Sequence, residues 1–216
     1  MVFFVNVTAE MPDPAYALPG RSEPVPTAAT HFVNGAPLKG PSPVGSEVAI
    51  FGLGCFWGTE KVFWQLDGVI VTAAGYIGGY TPNPTFEEVC TGQTGHSEVV
   101  KVVFDPKKIG YAELLKVFWQ GHNPEQEIAK GKEVGTQYRS GIYTLSDEQA
   151  RQARASKAAF QSALILAHHP MVTTEILPAG EFYYAEEYQQ QYIAKNPGGH
   201  CALCGSSVSC QVALRG

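Results

Sequence analysis

The order of the apolar segments between residues 47 and 145 constrains the fold more than any other feature of the sequence. Segments that predict strands are short and rich in apolar residues, whereas those that predict helices repeat apolar residues at helical spacing. They run in the order strand, helix, strand, strand, helix, strand, at residues 47–53, 55–66, 69–76, 97–105, 111–122 and 138–145. This is the order of a split β-α-β unit. We therefore predict an α+β fold, a two-layer sandwich in which a mixed sheet with a ferredoxin-like core carries its helices on one face.

Four further elements are predicted besides this core. They are a short helix at 85–92, the longest helix at 146–167, a strand at 172–177 and a helix at 183–195. Thr85 and Glu88 form a capping box at the start of the short helix, and Ser146 caps the longest one. Residues 1–46 are rich in proline, glycine, serine and alanine, and predict an arm that wraps the core or stays mobile.

These elements place the α+β domain, with the candidate active site, at 47–199 and a flexible, cysteine-rich redox tail at 200–216. We expect one domain overall, with the arm and the tail as extensions. The chain of 216 residues, with 44% hydrophobic and 16% charged residues, has the composition of a globular protein with a sizeable core.

Charge and hydropathy exclude several classes of function. The net charge is −5 and the 15 basic residues are scattered, which argues against nucleic acid as a partner. No apolar run is long enough to span a membrane. The apolar N-terminal stretch is too short for a secretion signal and no basic residue precedes it. We therefore expect a cytoplasmic protein that makes no membrane contact, with an organelle left open.

Cys55 lies where a predicted buried strand ends and a helix begins, in the stretch GLGCFWGTE. The first N–H groups of a helix have no partner inside the helix, and together with the helix dipole they stabilise a thiolate, the form of cysteine that attacks. Phe56 and Trp57 can form an apolar wall for a small hydrophobic group. A buried structural cysteine is a common alternative, and position alone leaves both interpretations open.

Three more side chains bear on that choice. Glu98 stands at the start of a predicted strand, where a carboxyl beside an apolar pocket can donate a proton near neutral pH. A solvated glutamate at a strand edge is the alternative. His96 is a rival acid or base, although a histidine beside a glycine turn is more often a hydrogen-bonding strut. Tyr138 follows a glycine loop, and either aims its hydroxyl into a cleft or is a core tyrosine with a wet tip.

The other four cysteines are Cys90, Cys201, Cys204 and Cys210. An odd number of cysteines in a reducing compartment argues against a static disulfide framework. Cys90, in an apolar short helix, is interpreted as structural. The three cysteines of the tail, with His200, offer enough ligands for zinc, but zinc sites usually join two pairs across a longer loop. A flexible tail suits redox chemistry better, because it can carry a thiol to a distant partner and away again.

The order and spacing of six motifs resemble those of the peptide methionine sulfoxide reductases of the A type; they are GCFWG, GYIGGYTPNPTF, VCTGQTGHSEVV, GTQYRSGIY, FYYAEEYQQQY and KNPGGHC. The resemblance implies the α+β fold. It also implies reduction of methionine S-sulfoxide, free or in proteins, and hence the repair of oxidised proteins. It implies no bound metal, flavin or nicotinamide, and thioredoxin, or dithiothreitol in vitro, as the reductant. We expect a monomer.

The resemblance also implies roles for the site residues. Cys55 would attack the sulfoxide sulfur, with the methyl group cradled by Phe56 and Trp57. Glu98 would protonate the sulfoxide oxygen, and Tyr138 would donate a hydrogen bond to it. These residues supply a nucleophile and an acid on opposite sides of a polarised S–O bond, which is what the reaction lacks in water.

The family pattern further implies a relay of thiols. Cys55 becomes a sulfenic acid, which Cys201 condenses into a disulfide. Cys210 would then take over the disulfide with Cys201, and thioredoxin would reduce it. Whether Cys204 competes with Cys210 for Cys201 stays open.

The chain departs from the family pattern at several positions. Phe86 stands where a tyrosine is common, so one hydrogen bond to the oxygen is missing, at a cost of about 1–3 kcal/mol if that bond acts in the transition state. Glu133 replaces a shorter aspartate, Gln189 a histidine and Cys204 a glycine. We group Phe86 and Glu133 with the substrate-binding residues. Phe86 and the altered loop around Glu133 keep open the alternative of a catalytically weakened relative that binds oxidised peptides. The thiols of the tail offer a further alternative, a zinc-binding module.

Overall fold

The computed structural model of the protein describes residues 10–124 and 135–198. Within these ranges the strands are β1 (Glu47–Leu53), β2 (Val69–Ile77), β3 (Ser97–Phe104), β4 (Ser140–Thr144), β5 (Glu175–Pro178) and β6 (Tyr183–Tyr184). They form one mixed sheet in the order β5-β4-β1-β3-β2-β6. β4 and β5 are parallel, and the other neighbouring strands are antiparallel. With β3 between β1 and β2, the sheet confirms the predicted α+β fold and its ferredoxin-like core.

The helices of the described ranges are α1 (Phe56–Trp64), α2 (Phe86–Cys90), α3 (Tyr111–Gly121), α4 (Asp147–Leu166) and α5 (Tyr192–Lys195). The predicted caps are present. Thr85 and Glu88 form both bonds of the capping box on α2, and the side chain of Ser146 accepts from the backbone N–H of Gln149 at the start of α4. Side-chain oxygens thus satisfy N–H groups that the helices themselves leave unpaired. Among the described helices, none combines the length and the apolar character needed to cross a bilayer.

The main core lies between the sheet and its helices. Four apolar residues of α3 face inward and are buried, and these are Leu114, Leu115, Phe118 and Trp119. They pack against residues of β1, β2, β3 and α4 in one cluster. At its centre the Phe51 ring of β1 stacks on Phe63 of α1 with centroids 5.2 Å apart. Burial of apolar surface on this scale is the dominant favourable term in folding.

The described part of the arm covers part of the opposite face of the sheet. Leu38 is buried against Val71 and Ala73 of β2 and Val103 of β3. Phe182, which precedes β6, packs over the same face. Leu38 thus packs the arm against the sheet, and the helical turn that the structure describes in residues 10–46 is a 3₁₀ turn at Pro14–Tyr16.

The segment 183–195 is not the continuous helix that we predict from its pattern. Tyr183 and Tyr184 pair with the edge of β2 instead, and a turn leads from there to the short α5. The reason lies in Gln190, whose side-chain amide accepts from the N–H of Ala74 and donates to its C=O. The amide thus substitutes for a further residue of strand pairing at the edge of β2.

The predicted strand at 138–145 begins later, because Thr136–Tyr138 forms a 3₁₀ turn and β4 starts at Ser140. The strand predicted at 172–177 also starts later, at Glu175. Both shifts leave the order of the elements unchanged.

Candidate active site

The ends of three adjacent strands bring the predicted site residues together. β1 is the middle strand of the three, with β3 on one side and β4 on the other. The antiparallel register places the last residues of β1 beside the first residues of both neighbours, as Leu53 opposite Ser140 shows. Cys55 follows β1. It therefore lies at the same end of these strands as Glu98, at the start of β3, and Tyr138, just before β4.

Cys55 occupies the N-cap position of α1 and is half-buried. Gly54, with φ +92°, makes the sharp turn from β1 into the helix. Among the described residues other than its chain neighbours, no heavy atom lies within 4 Å of the place that a Cβ would take on Gly54, and the positive φ by itself favours glycine there. The Cys55 carbonyl accepts from the hydroxyl of Thr59 at 3.1 Å. Cys55 therefore stands at the N-terminus of α1, where the N–H groups that have no partner inside the helix favour a negatively charged sulfur.

Glu98 is almost fully buried, with 1% of its surface exposed. Its Oε2 accepts a hydrogen bond from the backbone N–H of Phe56 at 3.0 Å. That N–H belongs to the residue next to Cys55, so the carboxyl and the cysteine meet at the first turn of α1. This arrangement excludes the alternative of a solvated glutamate at a strand edge.

Aromatic rings surround this meeting point. The Phe86 ring stacks on both Phe56 and Trp57, with centroids 6.2 Å apart in each case and angles of 20° and 25° between the planes. Phe56 is fully buried and also contacts Tyr76 at 5.8 Å. Trp57 and Phe86 are half-buried, so they are the rings that a small apolar group reaches first.

Trp57 is held from its other side by the turn before α5. Its Nε1 donates to Oε1 of Gln189 at 2.6 Å, and its ring stacks on Tyr192 with centroids 3.9 Å apart and an angle of 14° between the planes. Gln189 is fully buried, and its Nε2 has no hydrogen-bond acceptor in the described part of the chain. The replacement of histidine by glutamine that the sequence shows thus falls on a direct contact of Trp57.

Sequence reasoning missed one pair of residues beside this site. The Tyr76 hydroxyl donates to Oε2 of Glu186 at 2.9 Å, and the backbone N–H of Phe86 donates to Oε1 of Glu186 at 2.8 Å. Burial, followed by the charge of Glu186, raises the pKa of Tyr76 well above its usual value. Glu186 thus fixes the start of α2, and with it the ring of Phe86. Its place in the FYYAEEYQQQY motif was the available signal.

Tyr138 lies in a 3₁₀ turn that is tied to the segment carrying Glu98. The hydroxyl of Ser97 donates to the carbonyls of Gln137 and Arg139, both at 3.2 Å. The buried guanidinium of Arg139 donates to the carbonyl of Gly95 at 3.1 Å. These bonds hold the backbone on both sides of Tyr138 against the start of β3.

His96 and Cys90 take structural positions near the site. His96 is buried; its Nδ1 accepts from the N–H of Gly79 at 3.1 Å, and its Nε2 lies 2.7 Å from the carbonyl of Thr81. Burial lowers the pKa of His96, so it acts as the strut that the sequence suggests. Burial, and then the negative charge of nearby carboxylates including Glu98, raises the pKa of Cys90 to about 12. Cys90 therefore stays a thiol, as expected of a structural cysteine.

The remaining predicted residues lie outside the described ranges, and are Glu133, His200, Cys201, Cys204 and Cys210. Their roles stay predictions. Within residues 10–124 and 135–198, no three histidine, cysteine or acidic side chains group together as metal ligands would.

Comparisons with known proteins identify the family of the chain. The family model of peptide methionine sulfoxide reductase matches residues 47–213. Peptide methionine sulfoxide reductase MsrA 1 of Caulobacter vibrioides is 60% identical over 210 residues, which are 97% of each chain. Methionine sulfoxide reductase A of Corynebacterium diphtheriae has a TM-score of 0.83 and 41% identity, covering 93% of this chain and 98% of that one.

A yeast protein adds a third comparison. Mxr1 from Saccharomyces cerevisiae in its reduced form has a TM-score of 0.69 and 32% identity, covering 75% of this chain and 92% of its own. The same protein in complex with Trx2 has a TM-score of 0.51 at 22% identity, covering 72% of this chain and 90% of its own. The second match shows the shared fold alone.

Proposed function

The chain belongs to the peptide methionine sulfoxide reductase family and is an enzyme of that activity, and we propose that Cys55 is its nucleophile and Glu98 its acid. The observation that carries the proposal is the bond of 3.0 Å between the Glu98 carboxyl and the N–H of Phe56. It brings a buried carboxyl to the residue next to a half-buried cysteine at a helix N-terminus.

In the first step the sulfur of Cys55 attacks the sulfur of a methionine S-sulfoxide. The sulfoxide oxygen is a poor leaving group until it is protonated, and Glu98 supplies the proton, while Tyr138 donates a hydrogen bond to the same oxygen. The oxygen passes to the enzyme, so that Cys55 becomes a sulfenic acid and the substrate leaves as methionine. The thiol thus loses two electrons and the sulfoxide gains them.

The substrate is held by its apolar and backbone groups. Trp57 and Phe86 offer half-buried ring faces, Trp57 on the first turn of the helix that Cys55 caps, and we assign them to the S-methyl group, with Phe56 packed beneath. Glu133 would face the peptide backbone of the substrate. Because Phe86 lacks a hydroxyl, the oxygen has one donor fewer than the family pattern provides, which favours a slower first step rather than a different reaction.

The second step regenerates the thiol of Cys55. The thiol of Cys201 displaces the hydroxyl of the sulfenic acid as water and forms a disulfide with Cys55. Cys210 then exchanges into this bond, so that Cys55 is free and Cys201 is joined to Cys210. A thioredoxin reduces that last disulfide with its own two thiols. The complex of the yeast relative Mxr1 with Trx2 supports this class of partner.

The test is a single turnover without external reductant. One equivalent of methionine S-sulfoxide is added to the reduced protein, and methionine, free thiols and disulfides are measured by chromatography, thiol titration and mass spectrometry. We expect the loss of two thiols for each methionine formed, with Cys55 in the first disulfide. Cys55→Ser should form no methionine, whereas Cys90→Ser is the matched control and should keep the full yield.

Two outcomes would contradict the proposal. A yield of methionine from Cys55→Ser equal to that of the wild type would exclude Cys55 as the nucleophile. Bound sulfoxide peptide with all thiols intact would favour the second candidate, a weakened relative that only binds oxidised peptides. The observation behind that candidate is Phe86, whose ring stands where a second oxygen donor is expected.

A further inference from the structure

Glu60 is a buried carboxyl that the proposed mechanism does not use. It lies on α1 three residues after Trp57 and has no exposed surface. Its Oε1 accepts from the hydroxyl of Thr72 at 3.0 Å and from Nε2 of Gln191 at 2.6 Å. Its Oε2 accepts from the backbone N–H of Gln191 at 2.7 Å. Each partner donates, so the arrangement fits an ionised carboxylate.

The partners of Glu60 are themselves fixed by the arm. Nε2 of His31 lies 3.0 Å from the hydroxyl of Thr72. Since that hydroxyl gives its hydrogen to Glu60, the histidine must donate to Thr72. The backbone N–H of Phe32 donates to Oε1 of Gln191 at 2.9 Å. The amide of Gln191 is thus oriented from both ends, and its Nε2 points at Glu60.

Gln191 in turn controls the surroundings of Trp57. It has left-handed backbone angles, with φ 49° and ψ 41°, a conformation that is rare for glutamine and needs support from its neighbours. On one side of it Gln189 accepts from the Trp57 indole, and on the other side Tyr192 stacks on the same ring. The bonds to Glu60 supply the support.

We propose that Glu60 is a positioning residue: its carboxylate fixes the turn at 189–192, and through that turn the Trp57 indole beside Cys55, and its protonation loosens that hold. The inference rests on the proposed function, in which Trp57 contacts the substrate. On protonation one oxygen of Glu60 becomes a donor, and of its three partner groups only the hydroxyl of Thr72 can accept that hydrogen bond. The bond from Thr72 must then reverse or break, and the two bonds from Gln191 lose their charged acceptor, which loosens the geometry of the turn.

Burial and the groups around Glu60 place its protonation near neutral pH. Burial raises the pKa of Glu60 to about 7, against the opposing effects of the bonds from Gln191 and Thr72 and of the charge of Lys195. The titratable groups that face it are His31 from the arm and Lys195 from α5. Burial lowers the pKa of His31 to about 4, so His31 stays neutral in the range where Glu60 titrates. Partial burial also lowers the pKa of Lys195.

Nuclear magnetic resonance of the substrate-free protein tests the coupling directly. The chain has three tryptophans, so a ¹⁵N spectrum shows three indole N–H signals, and Trp57→Phe identifies that of Trp57. We expect this signal to shift between pH 5 and pH 9 with a midpoint near 7. The Trp119 indole, which donates to Ser156 at 3.0 Å on the far side of the core, is the internal control and should not follow.

Two variants separate Glu60 from other titrating groups. Glu60→Gln keeps the shape of the side chain but cannot ionise, and should abolish the step at Trp57. Gln191→Asn keeps a residue that tolerates left-handed angles while its side chain no longer reaches Glu60, and should shrink the step. A wild-type Trp57 signal that is constant over the whole range, or a step that persists unchanged in Glu60→Gln, would overturn the proposal.

Kinetics then connect the coupling to the reaction. Glu60→Gln should raise KM for a sulfoxide peptide by between about two- and tenfold, the worth of one net hydrogen bond, with kcat changed far less. Ser156→Ala, which also removes a buried hydrogen bond, is the control for general damage and should leave KM unchanged. An unchanged KM in Glu60→Gln would contradict the positioning role. Absence of turnover in the wild type would count against the proposed function alone, because the spectra need no substrate.

Discussion

Replacing Glu60 with glutamine should alter how the stability of the protein depends on pH. The ordinary pKa of this carboxyl is 4.5, and in the folded protein burial raises the pKa to about 7. The folded state therefore binds the proton more tightly than the unfolded state does. This contribution to the free energy of unfolding is fully present below pH 4.5 and is lost as the pH rises through 7.

The size of the effect follows from the same two values. The gap between 4.5 and about 7, at about 1.4 kcal/mol for each pH unit, amounts to about 3 kcal/mol of stability. Most of it, about 2.5 kcal/mol, falls between pH 5 and pH 8. No reduction for solvent screening applies, because Glu60 has no exposed surface. His31 titrates in the opposite sense, but it is present in both proteins and cancels in their difference.

Urea unfolding at pH 5 and pH 8 measures this difference. The free energy of unfolding of the wild type minus that of Glu60→Gln should fall by about 2.5 kcal/mol over the interval. Glu113, an exposed carboxyl on α3, provides the matched control, since Glu113→Gln should not show such a fall. A difference between wild type and Glu60→Gln that stays constant within about 0.5 kcal/mol would refute the assignment of a strongly raised pKa to Glu60.

Three further predictions concern the reaction. Phe86→Tyr restores a hydroxyl near the sulfoxide and should raise kcat/KM by up to about tenfold in initial-rate assays; a fall would mean that the added oxygen has no room. Glu98→Gln keeps an oxygen for the N–H of Phe56 but has no proton to give. It should slow methionine formation in a single turnover by about 10²–10⁴, and a loss of less than about fivefold would exclude Glu98 as the acid. Cys210→Ser should form methionine normally in the first turnover and slow only the recycling by thioredoxin; a slower first turnover would contradict the relay.

Much of the fold could be predicted because its elements are specified locally. The capping box of Thr85 and Glu88 and the cap of Ser146 act within three residues of their partners. The apolar face of α3, from Leu114 to Trp119, is likewise visible in the spacing of its residues. Signals of this kind need no knowledge of the rest of the chain.

The segment 183–195 shows where local signals fail. Its pattern is helical, but Gln190 pairs with Ala74, which is more than a hundred residues away in the chain. An amide side chain that replaces a peptide group leaves no trace in the periodicity of the sequence. Tertiary contacts here override the helical propensity.

In the candidate site, too, some residues could be predicted from the sequence and others could not. The place of Cys55 at the junction of a strand and a helix could be predicted, although that place alone did not decide its role, and Glu98 was indicated by its place in a motif. Glu60 could not, because its partners come from two separate segments of the chain, β2 and the turn before α5. Glu186 had its place in a motif as a signal, but its partners on β2 and α2 could not be predicted. A buried carboxyl such as Glu60 becomes recognisable only when the donors that surround it are known.

The arm contacts both the helix α2 beside the candidate active site and the outer face of the sheet, so damage to the arm would affect both. Its Arg21 forms a bidentate pair with Glu88 of α2, the helix that carries Phe86. Its Leu38 seals apolar residues of the sheet from water. A proteolytic cut in this stretch would therefore expose one side of the sheet to water and loosen the helix that carries Phe86, the ring that we propose contacts the substrate.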